Sequence, residues 1–263
     1  MEHQLVQAPQ PASSKHPLDI IILTLFPQQL GDFFLKGIYK KAHDNGLFSI
    51  RFINLREFAT NRYRSVDDYP FGGKQGMIVT APIIHAAISS IEHNDEYQLI
   101  YMCPKGQVLS QDTVSRIVSS PSRGIIILSG YYEGVDERIF SLFPFERVSI
   151  GDIILSSGDL PALVAIEACV RQIPGVLGNP DCIFQDSILS GLLESPQYTA
   201  PQSFLGLEVP AVLVGGHHKE IHRWKRREAL KQTLFSKSHL LVHYPVDSLD
   251  RQLITDILKG DQT

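Results

Sequence analysis

Thiols are scarce in this chain of 263 residues. Cys103, Cys169 and Cys182 are scattered, odd in number and form no C-x-x-C pair. That pattern excludes a disulfide framework and a structural zinc site, and it suits the reducing cytosol, so a cytoplasmic protein is expected. No apolar run approaches the ~20 residues that span a bilayer, so no membrane partner is expected. No G-x-G-x-x-G follows the first apolar run, which speaks against a Rossmann nucleotide site. Gly72, Gly73 and Lys74 lack the earlier glycine and the following Ser/Thr of a P-loop. His217, His218 and His222 lie close together, but the H-E-x-x-H pattern is missing and no further ligand is evident, so they read as polar surface and not as a metal site. There is no internal repeat. Cationic excess is also absent: 24 Lys and Arg face 28 Asp and Glu, a formal charge of −4. This excludes a chain that is basic throughout, but not a local basic patch.

What remains describes an ordinary globular protein, 43% hydrophobic and 20% charged, large enough for one large domain or two small ones. Residues 1–17 are rich in Pro, Gln and Ser and read as a disordered tail, not a signal peptide. The run LDIIILTL at 18–25 predicts a strand buried on both faces. Pro27 opens a helix that runs to Gly46, and 47–53 reads as a second strand. Helices are predicted over 81–91, 111–119, 137–142 and 160–173, and strands over 98–102, 124–128 and 147–150. Strands alternating with helices imply a mostly parallel sheet with helices on its faces.

The centre of the chain is the stretch 128–161, LSGYYEGVDERIFSLFPFERVSIGDIILSSGDLP. Its two glycine-bearing turns, 130–134 and 151–158, each follow a short apolar strand. A third turn, 103–106, follows the strand at 98–102. Glycine lets a backbone turn sharply or approach a ligand closely, and ligand crevices of open α/β sheets lie off the carboxyl ends of strands. Three such turns would wall one small-molecule site, although strand-end turns are often only turns.

Two polar stretches carry charge. Residues 56–77 mix Arg56, Arg62, Arg64 and Lys74 with Tyr63, Tyr69 and Phe71, a composition that suits phosphate and base contacts and equally a solvated loop. Residues 174–196 are rich in Pro, Gly, Asn, Asp and Ser and read as a linker. Residues 210–214 read as a strand. The helix predicted over 217–235 is strongly basic, with Arg223, Lys225, Arg226 and Arg227 at its centre, and reads either as a phosphate-binding face or as a solvated one. A short amphipathic helix over 248–258 follows.

These strings line up with a family. TLFP at 24–27, VDDYPFGG at 66–73, GYYEGVDER at 130–138, SIGDIILSSGDLPA at 149–162 and IPGVLGN at 173–179 resemble the bacterial tRNA (guanine-N1)-methyltransferases. So do the Asp186-Ser187 pair, SPQYTAP at 195–201 and VPAVLVGGHHKEIHRWK at 209–225. The resemblance implies a SPOUT-type α/β fold: a mostly parallel sheet whose strand-end turns form a deep trefoil knot, with a small, mainly helical C-terminal domain. The expected organisation is a tail at 1–17, a methyltransferase domain at 18–173, a linker at 174–196 and a tRNA-binding helical domain at 197–263.

The resemblance also implies a cofactor, S-adenosylmethionine, held in a bent shape by the three turns. Tyr101, Met102, Cys103 and Pro104 would form one wall, and Gly130, Tyr132, Glu133 and Gly134 the second. Ser149, Ile150, Gly151, Asp152, Ile153, Ile154 and Leu155, with Ser157, Gly158 and Pro161, would form the third. Asp186 matches the family's general base for the N1 proton of guanine, and Arg171 the cation that stabilises charge on O6. Taken alone, Asp186 reads as a turn residue and Arg171 as a helix C-cap. Arg223, Lys225, Arg226 and Arg227 would bind tRNA. The implied unit is a homodimer with shared active sites, and the implied reaction is N1 methylation of the guanosine immediately 3′ of the anticodon. The sequence does not say whether Mg2+ assists near Glu133.

The chain departs from the family at several places. Tyr131 and Tyr69 stand for Arg, Lys74-Gln75 for Gly-Pro, Ser157 for Gly, Ala200 for Arg, Gln185 for an acid and His217 for Asn. Most of these positions face RNA in the family or shape the cofactor loop. A SPOUT enzyme acting on another RNA position and a non-catalytic RNA-binding relative therefore stand as alternatives.

Overall fold

The computed structural model describes residues 17–260 apart from 35, 74, 178–187, 189, 190 and 243. Most of the expected tail, Lys74, and the greater part of the expected linker, with Gln185, Asp186 and Ser187, lie outside the described residues. The chain divides into two compact units, Met1–Gly178 and Asn179–Thr263.

The first unit is an α/β layer built on five parallel strands: β1 (Leu18–Thr24), β2 (Phe48–Asn54), β5 (Tyr97–Val108), β6 (Gly124–Ser129) and β7 (Glu146–Ser149). Their order across the sheet is β2-β1-β6-β5-β7. β3 (Asp67–Asp68) and β4 (Ile78–Val79) make a separate two-residue antiparallel pair. Strand side chains alternate between faces, and the apolar runs feed two cores. Ile20, Ile22, Ile100, Ile125 and Ile127 pack with one set of helical side chains, among them Leu30, Phe34, Val114, Ile117 and Ile166. Their sequence neighbours Ile21, Leu23, Leu99, Ile126 and Leu128 pack with Ile83, Ile84, Ala87, Ile88 and Ile139 on the other face. All six residues of β6 are buried. Each such Ile or Leu contributes roughly 1.5–3 kcal/mol by leaving water.

The first core's helices are α1 (Pro27–Phe34), α2 (Gly37–Asp44), α4 (Gln111–Ser119) and α6 (Asp159–Gln172); the second core's are α3 (Ala81–Ser89) and α5 (Ile139–Leu142). The single helix expected from Pro27 to Gly46 is two, because Gly37 takes φ +59°, a left-handed turn incompatible with a continuing helix. The turn expected at 103–106 lies inside β5. Met102 and Gln107 both pair with Val148, so the four residues between them loop out of the ladder as a bulge. Val176, in the expected linker, is buried in the first unit's core.

The second unit is mainly helical. It contains the hairpin β8 (Ser203–Phe204) and β9 (Leu207–Glu208), then α7 (Ala211–Val214), α8 (His218–Ser236) and α9 (Ser248–Gly260). The strand expected at 210–214 is helical: Pro210 carries φ −49°, which pre-sets a helical start, and Gly215 caps the far end. Leu192, Leu230, Leu253 and Ile257 form this unit's core. Beside them the carboxylate of Asp250, fully buried, receives Arg226 Nε at 2.8 Å and Nη2 at 3.0 Å. Among the described residues no helix is long and apolar enough to cross a membrane.

Candidate cofactor cleft

β5, β6 and β7 lie side by side, so the segments leaving or interrupting them meet at one edge of the sheet. The turn after β6 is pinned from several sides. Gly134 N–H donates to the Tyr131 carbonyl at 2.9 Å, Glu133 N–H to Met77 O at 3.0 Å, and Val79 N–H to Gly134 O at 3.0 Å. Tyr132 is held there at φ +56°, a strained conformation for an aromatic residue. The turn after β7 is braced by Ser149, whose hydroxyl donates to Gly151 O at 2.9 Å and accepts from Gly151 N–H at 3.1 Å. The two turns touch where Gly158 N–H donates to Gly130 O at 2.6 Å. A Cβ on Gly158 would fall 2.6 Å from the Gly130 backbone nitrogen, so only glycine fits this approach.

Between these walls lies a cleft of about 380 Å³. Sixteen residues expected from the sequence line it: Tyr101, Met102, Cys103, Pro104, Gly130, Tyr132, Glu133, Gly134, Ser149, Ile150, Ile153, Ile154, Leu155, Ser157, Gly158 and Pro161. Gly151 and Asp152, expected with them, are not among the lining residues. Lys105, Tyr131 and Ser156, from the same three segments, and Val135, Glu137, Phe140, Arg147 and Val148, which were not foreseen, complete the lining. Arg147 lies over the Phe140 ring, 4.1 Å from its centroid, and pairs with Glu137. Its place in β7, the strand that leads into one of the walling turns, was the signal available for it. Burial, with the nearby Cys103 sulfur, pushes the Tyr101 phenol up to about 12, and burial also raises Cys103, so both present neutral groups at physiological pH.

Arg171 is not a lining residue. It stands in the last turn of α6. Its charge acts on Tyr39, whose phenol is nonetheless raised by burial and by its 2.6 Å hydrogen bond to Glu167. Asp186 lies outside the described residues. On α8, Arg223 and Lys225 are exposed, Arg226 is committed to Asp250, and Arg227 Nη1 contacts Glu228 at 2.7 Å. His217, His218 and His222 are exposed. Among the described residues no group of three or more His, Cys, Asp or Glu side chains is placed to hold a metal ion.

A cleft walled by two strand-end turns and a bulge, offering apolar side chains and backbone groups, is the kind of site that α/β proteins build at the carboxyl edge of the sheet. Residues 18–243 match the family model described as tRNA (Guanine-1)-methyltransferase TrmD. Curated proteins named tRNA (guanine-N(1)-)-methyltransferase are similar over nearly the whole chain. That of Dictyoglomus turgidum is 41% identical, covering 92% of this chain and 97% of its own. That of Syntrophomonas wolfei is 40% identical with the same coverage. That of Staphylococcus epidermidis is 38% identical over 90% of this chain and 96% of its own. The chain belongs to the tRNA (guanine-N1)-methyltransferase family.

Proposed function

We propose that this protein transfers a methyl group from S-adenosylmethionine to N1 of the guanosine immediately 3′ of the tRNA anticodon. The observation that carries the reading is the convergence of two strand-end turns and the bulge of β5 on one cleft, in a chain of this family. The SPOUT-type trefoil knot belongs to the same proposal, as an exception to the rule that chains avoid threading. The cleft suits the cofactor: its apolar walls accept a purine, its turns offer backbone donors and acceptors to the purine edge, and its volume falls in the range of small-molecule sites. Bound there, S-adenosylmethionine would supply an electrophilic methyl group on a sulfonium.

The chain's own part is to prepare guanine. N1 is a poor nucleophile while it keeps its proton. Asp186 takes that proton as general base, and Arg171 offsets the negative charge that then develops on O6. Alignment of the reacting atoms supplies most of the remaining rate. Whether Mg2+ takes part is a separate question that a chelator titration answers.

The working unit is a homodimer with composite sites. Two observations support it. Pro161 borders the cleft and Arg171 follows ten residues later on the same helix, which sets them roughly 15 Å apart at the rise of an α-helix. Arg171 therefore serves a cleft other than its own. Ile154, Leu160 and Val164 are also exposed along the turn after β7 and the start of α6, an apolar stripe that an isologous contact would cover. Arg223 and Lys225 contact tRNA phosphates.

Nucleoside mass spectrometry tests the reaction. Unmodified tRNA incubated with enzyme and methyl-labelled cofactor is expected to yield labelled 1-methylguanosine in the anticodon-loop fragment. Asp186→Ala and Arg171→Ala should abolish it. Label at another position would favour a SPOUT enzyme of different RNA specificity, and tRNA binding without label would favour a non-catalytic relative.

A further inference from the structure

The phenol of Tyr131 is placed unlike that of its neighbour Tyr132, whose side chain is exposed. Its ring is buried, and its hydroxyl donates to Asp159 Oδ2 at 2.5 Å and accepts from Leu25 N–H at 3.2 Å. The Thr24 hydroxyl lies 2.7 Å from the same oxygen and 3.1 Å from Asp159 Oδ1, while Ser129 Oγ donates to Oδ1 at 2.7 Å. Thr24 also accepts from Phe26 N–H at 3.0 Å. Three hydroxyls therefore surround one buried carboxylate, and each comes from a different place: the end of β1, the end of β6, and the turn beyond β6. Asp159 itself opens α6, directly after Gly158. A carboxylate in the first helical turn is favoured by the helix dipole, which fixes its side of the contact.

We propose that Tyr131 is a positioning residue of the cleft: through Asp159 it ties the glycine turn after β6 to the start of α6, and so sets the spacing of two cleft walls. The proposal rests on the cofactor reading of the cleft given above. Backbone contacts set that spacing in one small patch, where Gly130 meets Gly158 beside the bridge of Tyr131 to Ser157. The phenol adds a second fixed point on the same pair of segments, alongside the bridge between Tyr131 and Ser157. Burial and the adjacent Asp159 raise the phenol's pKa, so it remains a donor across the working pH range. Hydrogen bonds to charged groups are the strong ones, so losing this one should be visible in cofactor affinity.

The test is calorimetric titration of S-adenosylmethionine into wild type, Tyr131→Phe and Ser129→Ala, with steady-state kinetics on tRNA. Tyr131→Phe keeps the ring and removes the hydroxyl. Ser129→Ala removes a donor from the same carboxylate without altering a lining side chain. The expected results are a rise in cofactor Kd of about tenfold for Tyr131→Phe and about threefold for Ser129→Ala. KM for cofactor should rise with Kd, KM for tRNA should hold, and kcat should recover at saturating cofactor. A purely structural role would lower Tm and leave Kd and the KM pattern unchanged, and that result overturns the inference. If Tyr131→Phe does not fold, Ser129→Ala decides by the same criterion. Wild-type protein that takes up no cofactor overturns the reading of the cleft and this inference with it. A wild type that binds while both variants bind equally well overturns the inference alone.

Discussion

The cleft and the basic helix of the second unit are built in opposite ways. The cleft is made of turns whose positions are fixed by backbone hydrogen bonds and by glycine contacts, on a sheet with a deep core on both faces. Its shape is therefore set by the backbone. Helix α8 instead presents charge on long side chains above a core of four buried residues. There one cation of the basic cluster, Arg226, is spent on holding the fold. The lesson is that a backbone-built site fails abruptly when an atom is added, whereas a charge-built surface weakens by degrees.

The sharpest way to break the first half of that comparison is Gly158→Val. Its Cβ meets the backbone of Gly130, which no rotamer change can relieve, so cofactor binding should fall by more than about 100-fold in calorimetry. Gly151 offers the contrast. It takes φ +130° but has open space around it, so Gly151→Ala should cost about 1–3 kcal/mol of local strain and spare more of the affinity. Co-expressed with Asp186→Ala under a second tag, Gly158→Val also reports on the shared site. Random pairing gives mixed dimers with one intact site each, so activity should return to about a quarter of wild type. Verified mixed dimers that stay inactive would show that the site is built within one chain.

The second unit should respond first in stability. Asp250→Ala leaves the Arg226 guanidinium partly buried without its carboxylate, and truncating one member of a buried pair costs about 3–5 kcal/mol. Chemical denaturation should show this loss in transitions of the C-terminal unit. Arg226→Glu should behave the same way, through folding and not through RNA.

Arg223→Glu with Lys225→Glu should be milder and purely electrostatic. Both side chains are exposed, so folding should be untouched while tRNA affinity falls about 10–100-fold. The log–log salt slope should flatten by roughly two if each lysine or arginine meets one phosphate. An unchanged slope would remove this face of α8 from the RNA contact.

How much of this was legible beforehand follows the same division. The apolar runs at 18–25 and 124–128 announce buried parallel strands because both faces of such strands are covered. The glycines of the turns announce the cleft because backbone requirements are written locally. The Thr24–Tyr131–Asp159 network could not be read, since its partners are 107 and 135 residues from Thr24 and hydroxyls carry no spacing rule. Arg226 was read with Arg223 as surface charge for the same reason: its Asp250 partner lies 24 residues on, and only the packing of α8 with α9 brings it near. The segment at 210–214 was misread because its valines and leucine favour a strand, whereas Pro210 and Gly215 bracket a single helical turn.

The smallest effect belongs to the amino-terminal end of β1 and sharpens the comparison from the side of charge. Asp19, near the start of β1, accepts from Ser49 Oγ at 2.6 Å and from the Tyr97 hydroxyl, and Arg51 Nη2 lies 3.4 Å away. Burial alone would raise its pKa. The hydroxyl donors and Arg51 outweigh burial and hold the carboxyl below the ordinary range. A depressed folded pKa means that the unfolded chain takes up the proton first as pH falls. The stabilisation is therefore complete above the unfolded value of about 4 and is lost as pH drops through the lower folded value. Asp19→Asn should accordingly be less stable than wild type by about 1 kcal/mol at neutral pH, and the gap should close in acid. Thermal unfolding of both proteins from pH 7 down to about pH 3 measures it. A gap that stays constant across that range would show that the carboxylate's charge contributes nothing, and that its hydrogen bonds act as neutral ones.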